Sequence, residues 1–381
     1  MVFRHFLQTQ AAEGVSQARE KWDGSFPSFP LIPPLLSLAP SIGVTLFWFL
    51  WLAGVLTVPA RAQSATPVTP LRQAQDLSDS GHLDQALQQL DALAAQQPEP
   101  AGVEYLRGMV FYQQDKMAGA AAAFATAVAQ DSKNLEAVQM EGVSLFRGGK
   151  SAEAVPLLEQ ARRSVPNANV DPNYVLGLCY IDTRRFDDAR KAFAGQYGFA
   201  ADSAPAYLLA ARMLLRRDYL PAAEESARQA LALNARLPQA HFLLGEIALA
   251  QGQPAKAIAE LEQERDINPL DGAVYERLGD AHIRSGEFDS AQQALNRAVL
   301  LEPNVNAPFI LLGKVFLKQK NSLMAKMYLE HALQMDPRNY MAHYLLGQAY
   351  RALGRTEDAT REYQAAEQIQ TATAPHLESP Q

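Results

Sequence analysis

Cysteine is almost missing from this 381-residue chain, where Cys179 stands alone. One thiol cannot close a disulfide within the chain or supply a Cys-x-x-Cys metal site. Blocks of like charge are missing too. Lys and Arg total 34 against 41 Asp and Glu, a net charge of −7. Arg162-Arg163, Arg184-Arg185 and Arg216-Arg217 are pairs, not patches, which argues against nucleic-acid binding. The chain has no His-Glu-x-x-His, no Gly-rich phosphate loop behind a strand and no Gly-x-Ser-x-Gly elbow. Paired carboxylates such as Asp187-Asp188 and Glu224-Glu225 are sequence neighbours, which on a helix point in different directions. No catalytic residue, metal ligand or cofactor is expected, and the chain reads as non-enzymatic. Charge of either sign is absent from residues 24–60.

What the chain does have is a period. The stretch from Gly272 to Pro303 reads as two amphipathic helices. Tyr275, Leu278, Gly279 and His282 share one face of the first, and Phe288, Ala291, Leu295 and Ala298 share one face of the second. Ser285-Gly286 breaks between them, and Pro303 closes the unit. The pattern returns every 34 residues, with units starting at Pro67, Ala101, Leu135, Val170, Ala204, Pro238, Gly272, Asn306 and Tyr340. The one step of 35 falls between the third and fourth units, at Asn167-Ala168-Asn169, a turn-forming cluster.

Small residues hold the register. The second helix carries Ala86, Ala120, Ala154, Ala189, Ala223, Ala257, Ala291, Ala325 and Ala359 in one phase. The first helix carries Ala74 and Ala211 in two units and glycine, such as Gly108 and Gly279, in the others. Glycine inside a helix costs about 1 kcal/mol relative to alanine, so its recurrence needs a close helix approach. A third small site departs from the rule at Leu93, Gln196 and Glu264, which leaves the ends of units one, four and six without their expected packing. Gly149 falls at the same unit position as Gly81, Gly252, Gly286 and Gly354. Gly148-Gly149-Lys150-Ser151 is therefore an inter-helix turn and not the end of a phosphate loop. His241 and His343 stand where other units place Tyr207, Tyr275 and Phe309, as aromatic packing substitutes. Cys179 stands where other units place Met213, Ile247 and Val315, which predicts a core thiol.

This pattern resembles the tetratricopeptide repeat, whose period is 34 residues. The resemblance covers 67–373 as nine tandem units and implies an all-α solenoid, a right-handed superhelix of helix-turn-helix units, with about eighteen helices. Each unit cannot bury its own apolar face, so stacking supplies the core.

The segment before the repeats is of another kind. Ile42 to Val58 is apolar apart from Thr45 and Thr57, and Ala60-Arg61-Ala62 follows in a small-x-small arrangement. Residues 1–62 are expected to be a signal peptide or membrane anchor with a proline-rich extension, Phe26 to Pro34. Cleavage after Ala62 leaves Gln63 as the mature N-terminus. A retained anchor through 42–58 and a buried soluble helix are the alternatives. In the first two cases the repeats lie outside the cytoplasm, periplasmic or held at the cytoplasmic membrane. Residues 374–381 read as a disordered tail.

The resemblance also implies where a partner would lie. In the family the fifth, ninth and twelfth positions of each first helix line the concave face. Here they read Tyr105, Met109 and Tyr112; Gln139, Val143 and Phe146; Tyr174, Leu178 and Ile181; Leu208, Arg212 and Leu215. Beyond them the face turns polar with Glu276, Asp280 and Lys314. The family's carboxylate clamp is not matched, since Leu71 and Gln75 stand where Lys and Asn would. The expectation is an interaction scaffold that binds an apolar or amphipathic protein or peptide segment in a two-part groove. The alternative is a structural component of a cell-envelope assembly that acts by self-association.

Overall fold

The computed structural model describes residues 69–164 and 173–373. The leader at 1–62, with its apolar run at 42–58 and its cleavage site, lies outside the described residues. So do the insertion at 167–169 and the tail at 374–381. Among the described residues every regular element is an α-helix, eighteen in all. Unit one is α1 (Pro70–Asp79) and α2 (Leu83–Ala94), and unit two is α3 (Val103–Gln113) and α4 (Met117–Gln130). Unit three is α5 (Leu135–Arg147) and α6 (Ser151–Ser164), and unit four is α7 (Asn173–Asp182) and α8 (Phe186–Tyr197). Unit five is α9 (Ala204–Arg216) and α10 (Leu220–Leu233), and unit six is α11 (Ala240–Ala250) and α12 (Pro254–Ile267). Unit seven is α13 (Gly272–Ser285) and α14 (Phe288–Leu301). Unit eight is α15 (Ala307–Lys318) and α16 (Ser322–Met335), and unit nine is α17 (Tyr340–Ala352) and α18 (Thr356–Thr373). The chain is thus an all-α solenoid, as its period predicts. Among the described residues no helix is long and apolar enough to cross a membrane.

Local chemistry sets the helix ends. Asn134, Asp271, Asn321 and Asn339 each accept a backbone N–H of the helix they precede, at 3.0, 3.0, 3.2 and 3.0 Å. The turn inside each unit uses a left-handed residue at one fixed place. Gly81, Gly149, Gly252, Gly286 and Gly354 take φ of 70° to 83°, and Asp115, Arg184, Asp218 and Lys320 occupy the same place at 60° to 62°. Space does not demand glycine there, because a Cβ on Gly286 would meet nothing within 4 Å. Backbone strain alone remains, about 1–2 kcal/mol for a residue with a Cβ. Gly286→Ala is therefore expected to lower the stability of unit seven by about 1 kcal/mol, read from native-state hydrogen exchange at the amides of α13 and α14. Unchanged exchange there would contradict this.

First helices form the inner layer. α11, α13, α15 and α17 each pack against the next or preceding first helix, as do α1 with α3, α5 with α7 and α9 with α11. Second helices do not pack on one another to that extent among the described residues. The solenoid therefore curves with its first helices inside.

The small residues open the core. The nine second-helix alanines are all buried, from Ala86 at 0% to Ala359 at 3% exposure. The first-helix glycines do something more specific than allow a crossing. A Cβ on Gly108 would lie 2.6 Å from Phe124, and a Cβ on Gly279 would lie 2.5 Å from Leu295. The same slot takes Leu158 over Gly142, Phe193 over Gly177 and Leu261 over Gly245. In unit five, where the slot residue is Ala211, the residue at the filling position shrinks to Ala227, and both are fully buried.

The departures from the third small site are also resolved. Leu93 and Glu264 are both buried, and Glu264 has no exposure at all. Its carboxylate accepts the backbone N–H of Gln239 at 2.8 Å and of Phe242 at 3.3 Å. It also accepts Asn268 Nδ2. Glu264 on α12 thus caps the N-terminus of α11, so unit six is closed by a polar lock instead of an alanine. In unit four the second helix runs past Gly195. It continues to Tyr197 and ends at Gly198, with φ 74°.

Cys179 is fully buried in the core between α7 and its neighbours. Burial, with Asp182 adding to it, pushes its thiol up to about 12. The native chain is therefore expected to leave Cys179 unmodified by a polar thiol reagent at neutral pH, with stoichiometric reaction only in denaturant. Rapid labelling of the native protein would contradict the burial.

Candidate functional site: the inner face of the first helices

The fixed spacing of the units turns one helix position into a line along the inner face. At the ninth position of every first helix the side chain remains half-exposed, and from Met109 to Gln348 it stands between buried neighbours. Over units two to four the line is apolar, with Met109, Val143 and Leu178. It then becomes charged, with Arg212, Glu246, Asp280 and Lys314. Gln75 and Gln348 stand at its ends. Ridge and core alternate because 3.6 residues per turn separate the ninth position from the eighth and tenth by about 100°.

The structure places the expected residues unequally. Tyr105 and Tyr174 are half-buried and tilt against the slot-filling Phe124 and Phe193, with ring centroids 5.7 and 5.9 Å apart. Burial and the Glu136 carboxylate push the Tyr105 phenol well above its ordinary range. Met109, Gln139, Phe146, Leu178, Arg212, Asp280 and Lys314 are half-exposed. Three expectations need correcting. Tyr112 is only 4% exposed, since it belongs to a core cluster with Met117, Phe124 and Met140 and the Arg147 guanidinium covers its ring at 4.7 Å. Glu276 is only 8% exposed and lies 3.6 Å from the Arg277 guanidinium. Ile181 is likewise fully buried. The twelfth position sits in the last turn of the first helix, where the next unit can close over it, so it does not mark the groove consistently.

Charges on this face are organised around residues the sequence reading passed over. Glu246, at the ninth position of unit six, bonds Arg277 Nε at 3.3 Å. Burial raises the Glu246 carboxyl above its usual range, and the arginines Arg277 and Arg212 pull it back. Asp280 is held by Arg284 at 2.9 Å. Arg212 is different. Burial lowers its guanidinium from the ordinary arginine range, Glu246 partly offsets this, and Arg216 adds repulsion. Arg212 makes no hydrogen bond or ion pair with a described residue. The break after α8 leaves Tyr197 and Phe199 at 52% and 43% exposure, ring on ring. The signal for them in the sequence was the glycine pair Gly195 and Gly198.

A polar cavity of about 900 Å³ opens elsewhere, along the turns of units two to five, lined by Arg147, Lys150, Arg217, Asp115, Glu153 and Asp182. Its charges satisfy one another. Arg147 meets Asp115 at 2.8 Å, Arg217 meets Asp182 at 2.9 Å and Lys150 meets Glu153 at 3.4 Å. It leaves no charge over for a ligand. The histidines are likewise taken up within the fold, His241 by Glu260 at 2.8 Å and His343 by Glu362 at 2.6 Å. They are polar partners of the second helix as well as aromatic substitutes.

A tetratricopeptide repeat profile matches residues 71–134, 140–206, 208–272 and 310–375, and a second one matches 248–312. The chain belongs to the tetratricopeptide repeat family. It is similar to the TPR repeat-containing protein YpiA of Bacillus subtilis, 27% identical over 227 residues, which is 57% of this chain and 51% of that protein. It is also similar to Superkiller protein 3 of Schizosaccharomyces pombe, 28% identical over 152 residues, which is 37% of this chain and 11% of that protein. The chain thus spans between about a tenth and about half of the length of these relatives. Among solved structures, YrrB, a TPR protein with an unusual peptide-binding site, aligns at a TM-score of 0.41 and 20% identity, covering 50% of this chain and 95% of its own.

Proposed function

We propose that this chain is a non-enzymatic scaffold that holds a peptide or protein segment against the inner face of its first helices. The observation that carries this reading is the line of half-exposed ninth-position residues, apolar at Met109, Val143 and Leu178. Half-exposed apolar and aromatic side chains on a preformed concave surface can bury further area on binding without reorganising the fold. An apolar or amphipathic segment fits the line over units two to four, and a charged continuation fits units five to eight.

The test is an array of N-acetylated, C-amidated nonapeptides probed with the full chain. Leu178→Glu is expected to abolish most of the signal while leaving the melting temperature within a degree or two. If the array pattern is the same for both proteins, the inner face is not the binding surface.

The same reading puts the repeats outside the cytoplasm, periplasmic or anchored through Ile42 to Val58. The support is the apolar run followed by Ala60-Arg61-Ala62. Intact-mass measurement is expected to give a mature chain beginning at Gln63. An uncut chain in the membrane fraction would favour the anchor, and an uncut chain in the cytosol would defeat both.

A further inference from the structure

Stacking in a 34-residue period lays the turn of one unit over the turn of the next. Asp115 and Arg147 stand 32 residues apart and pair at 2.8 Å, and Asp182 and Arg217 stand 35 apart and pair at 2.9 Å. Both pairs therefore bridge adjacent units, the first from two to three and the second from four to five. Ser151, at the start of α6, donates its hydroxyl to the other Asp182 oxygen at 2.6 Å and ties unit three to unit four. The Arg217 guanidinium stands 5.7 Å from the centre of the Phe146 ring, in the last turn of α5. Phe146, Arg217, Asp182 and Ser151 thus form one continuous wall of the polar cavity of about 900 Å³, and Arg147 with Asp115 lines it too.

The lining is neutral, yet its hydrogen-bonding capacity is not used up. A guanidinium carries five N–H donors and a carboxylate about four acceptor sites. Among the described residues Arg217 donates one hydrogen bond, to Asp182, and Arg147 one, to Asp115. Asp182 accepts two and Asp115 one. Open donors and acceptors therefore lie side by side on each bridge. An added anion gains a cation only by displacing the carboxylate already on it, and an added cation meets the reverse obstacle. An apolar body would strip water from paired charges and return no hydrogen bonds. A hydroxyl is donor and acceptor in one atom. It can give to the carboxylate and take from the guanidinium of one bridge without breaking the pair. A backbone group can meet only one partner of a bridge, since N–H donates and C=O accepts.

We propose that this cavity binds a short neutral oligosaccharide. A sugar ring lies with its C–H face on the negative face of the Phe146 ring. Its hydroxyls bridge the Arg217–Asp182 and Arg147–Asp115 pairs, which stay intact. The volume falls within the range of natural ligand pockets, about 300–1,000 Å³. This site stands apart from the ninth-position line and does not depend on a segment bound there.

The test is calorimetric titration of the full chain with maltotriose, cellotriose and triacetylchitotriose, beside inorganic phosphate and a neutral capped Gly-Ser peptide. At least one trisaccharide is expected to bind, with an affinity that does not fall as salt is raised, while phosphate and peptide give no binding heat. Phe146→Leu keeps an apolar side chain against the core and is expected to weaken that trisaccharide about five- to tenfold. Its circular dichroism spectrum should stay that of the wild type. Asp115→Asn keeps the shape of a mostly exposed side chain and leaves the Arg147 charge without its carboxylate. It is expected to let phosphate bind where the wild type does not. Leu178→Glu, on the inner face, is expected to leave the trisaccharide affinity unchanged. Binding of phosphate or peptide by the wild type in place of a trisaccharide, or no binding by any probe, would overturn the assignment. So would a Phe146→Leu variant that binds the sugar as tightly as the wild type, or loss of sugar binding in Leu178→Glu. An Asp115→Asn variant that still ignores phosphate would show that paired charge is not what selects a neutral ligand, and would overturn it as well.

Discussion

Gly279→Ala is expected to destabilise α13 and α14 by about 1–3 kcal/mol. The added methyl would sit 2.5 Å from Leu295, which is fully buried and cannot move aside into solvent. Leu295→Ala alone is expected to cost about 2–5 kcal/mol, because it leaves a cavity over the glycine. The double variant should cost less than the two together, by about 0.5–3 kcal/mol. Unit five already shows this combination in Ala211 and Ala227. A solenoid does not open as one unit, so the readout is native-state hydrogen exchange at the amides of α13 and α14. Additive losses would mean that the slot and its filler are not a couple.

Glu264→Ala is the second large effect. This carboxylate has no exposure and accepts hydrogen on both oxygens from Gln239, Phe242 and Asn268. Its removal strands the part-buried backbone donors of Gln239 and Phe242 at the start of α11, each costing up to about 1–3 kcal/mol. Glu264→Gln is expected to be costly as well, although its shape is conserved. An amide has one acceptor oxygen, and its NH2 group would face a donor whichever way it turned. Exchange at Gln239 and Phe242 should accelerate in both variants, more in Glu264→Ala. A Glu264→Gln variant as stable as the wild type would show that the cap does not need two acceptor oxygens.

Much of this fold was legible in the sequence because its constraints repeat. A small residue in one phase across nine units, like Ala86 to Ala359, reports a contact that every unit must make. The left-handed turn was visible at five glycines and hidden at Arg184 or Lys320, which adopt the same conformation with a Cβ. What stayed illegible depends on particular neighbours. Tyr112 is buried in a core cluster with Met117, Phe124 and Met140, beneath Arg147 of the next unit, and no property of position twelve announces that. Glu276 reads as a surface acid until Arg277 folds beside it. Glu264 reads as a packing defect, since only the three-dimensional approach of Gln239 and Phe242 reveals a cap. Tyr197 and Phe199 lie on a second helix and its exit, outside the first-helix positions that describe the family's groove.

The ninth-position line is tested most directly by thiol labelling at two adjacent residues. Leu178 is half-exposed on the inner face, and Cys179 beside it has no exposure. In a Leu178→Cys variant of the full chain, a charged methanethiosulfonate reagent is expected to add once, at position 178. The wild-type chain should stay unmodified, and a capped nonapeptide selected from the array should slow the addition in proportion to its occupancy. No adduct at 178, or an adduct at Cys179 in the native chain, would contradict the inner face described for this solenoid.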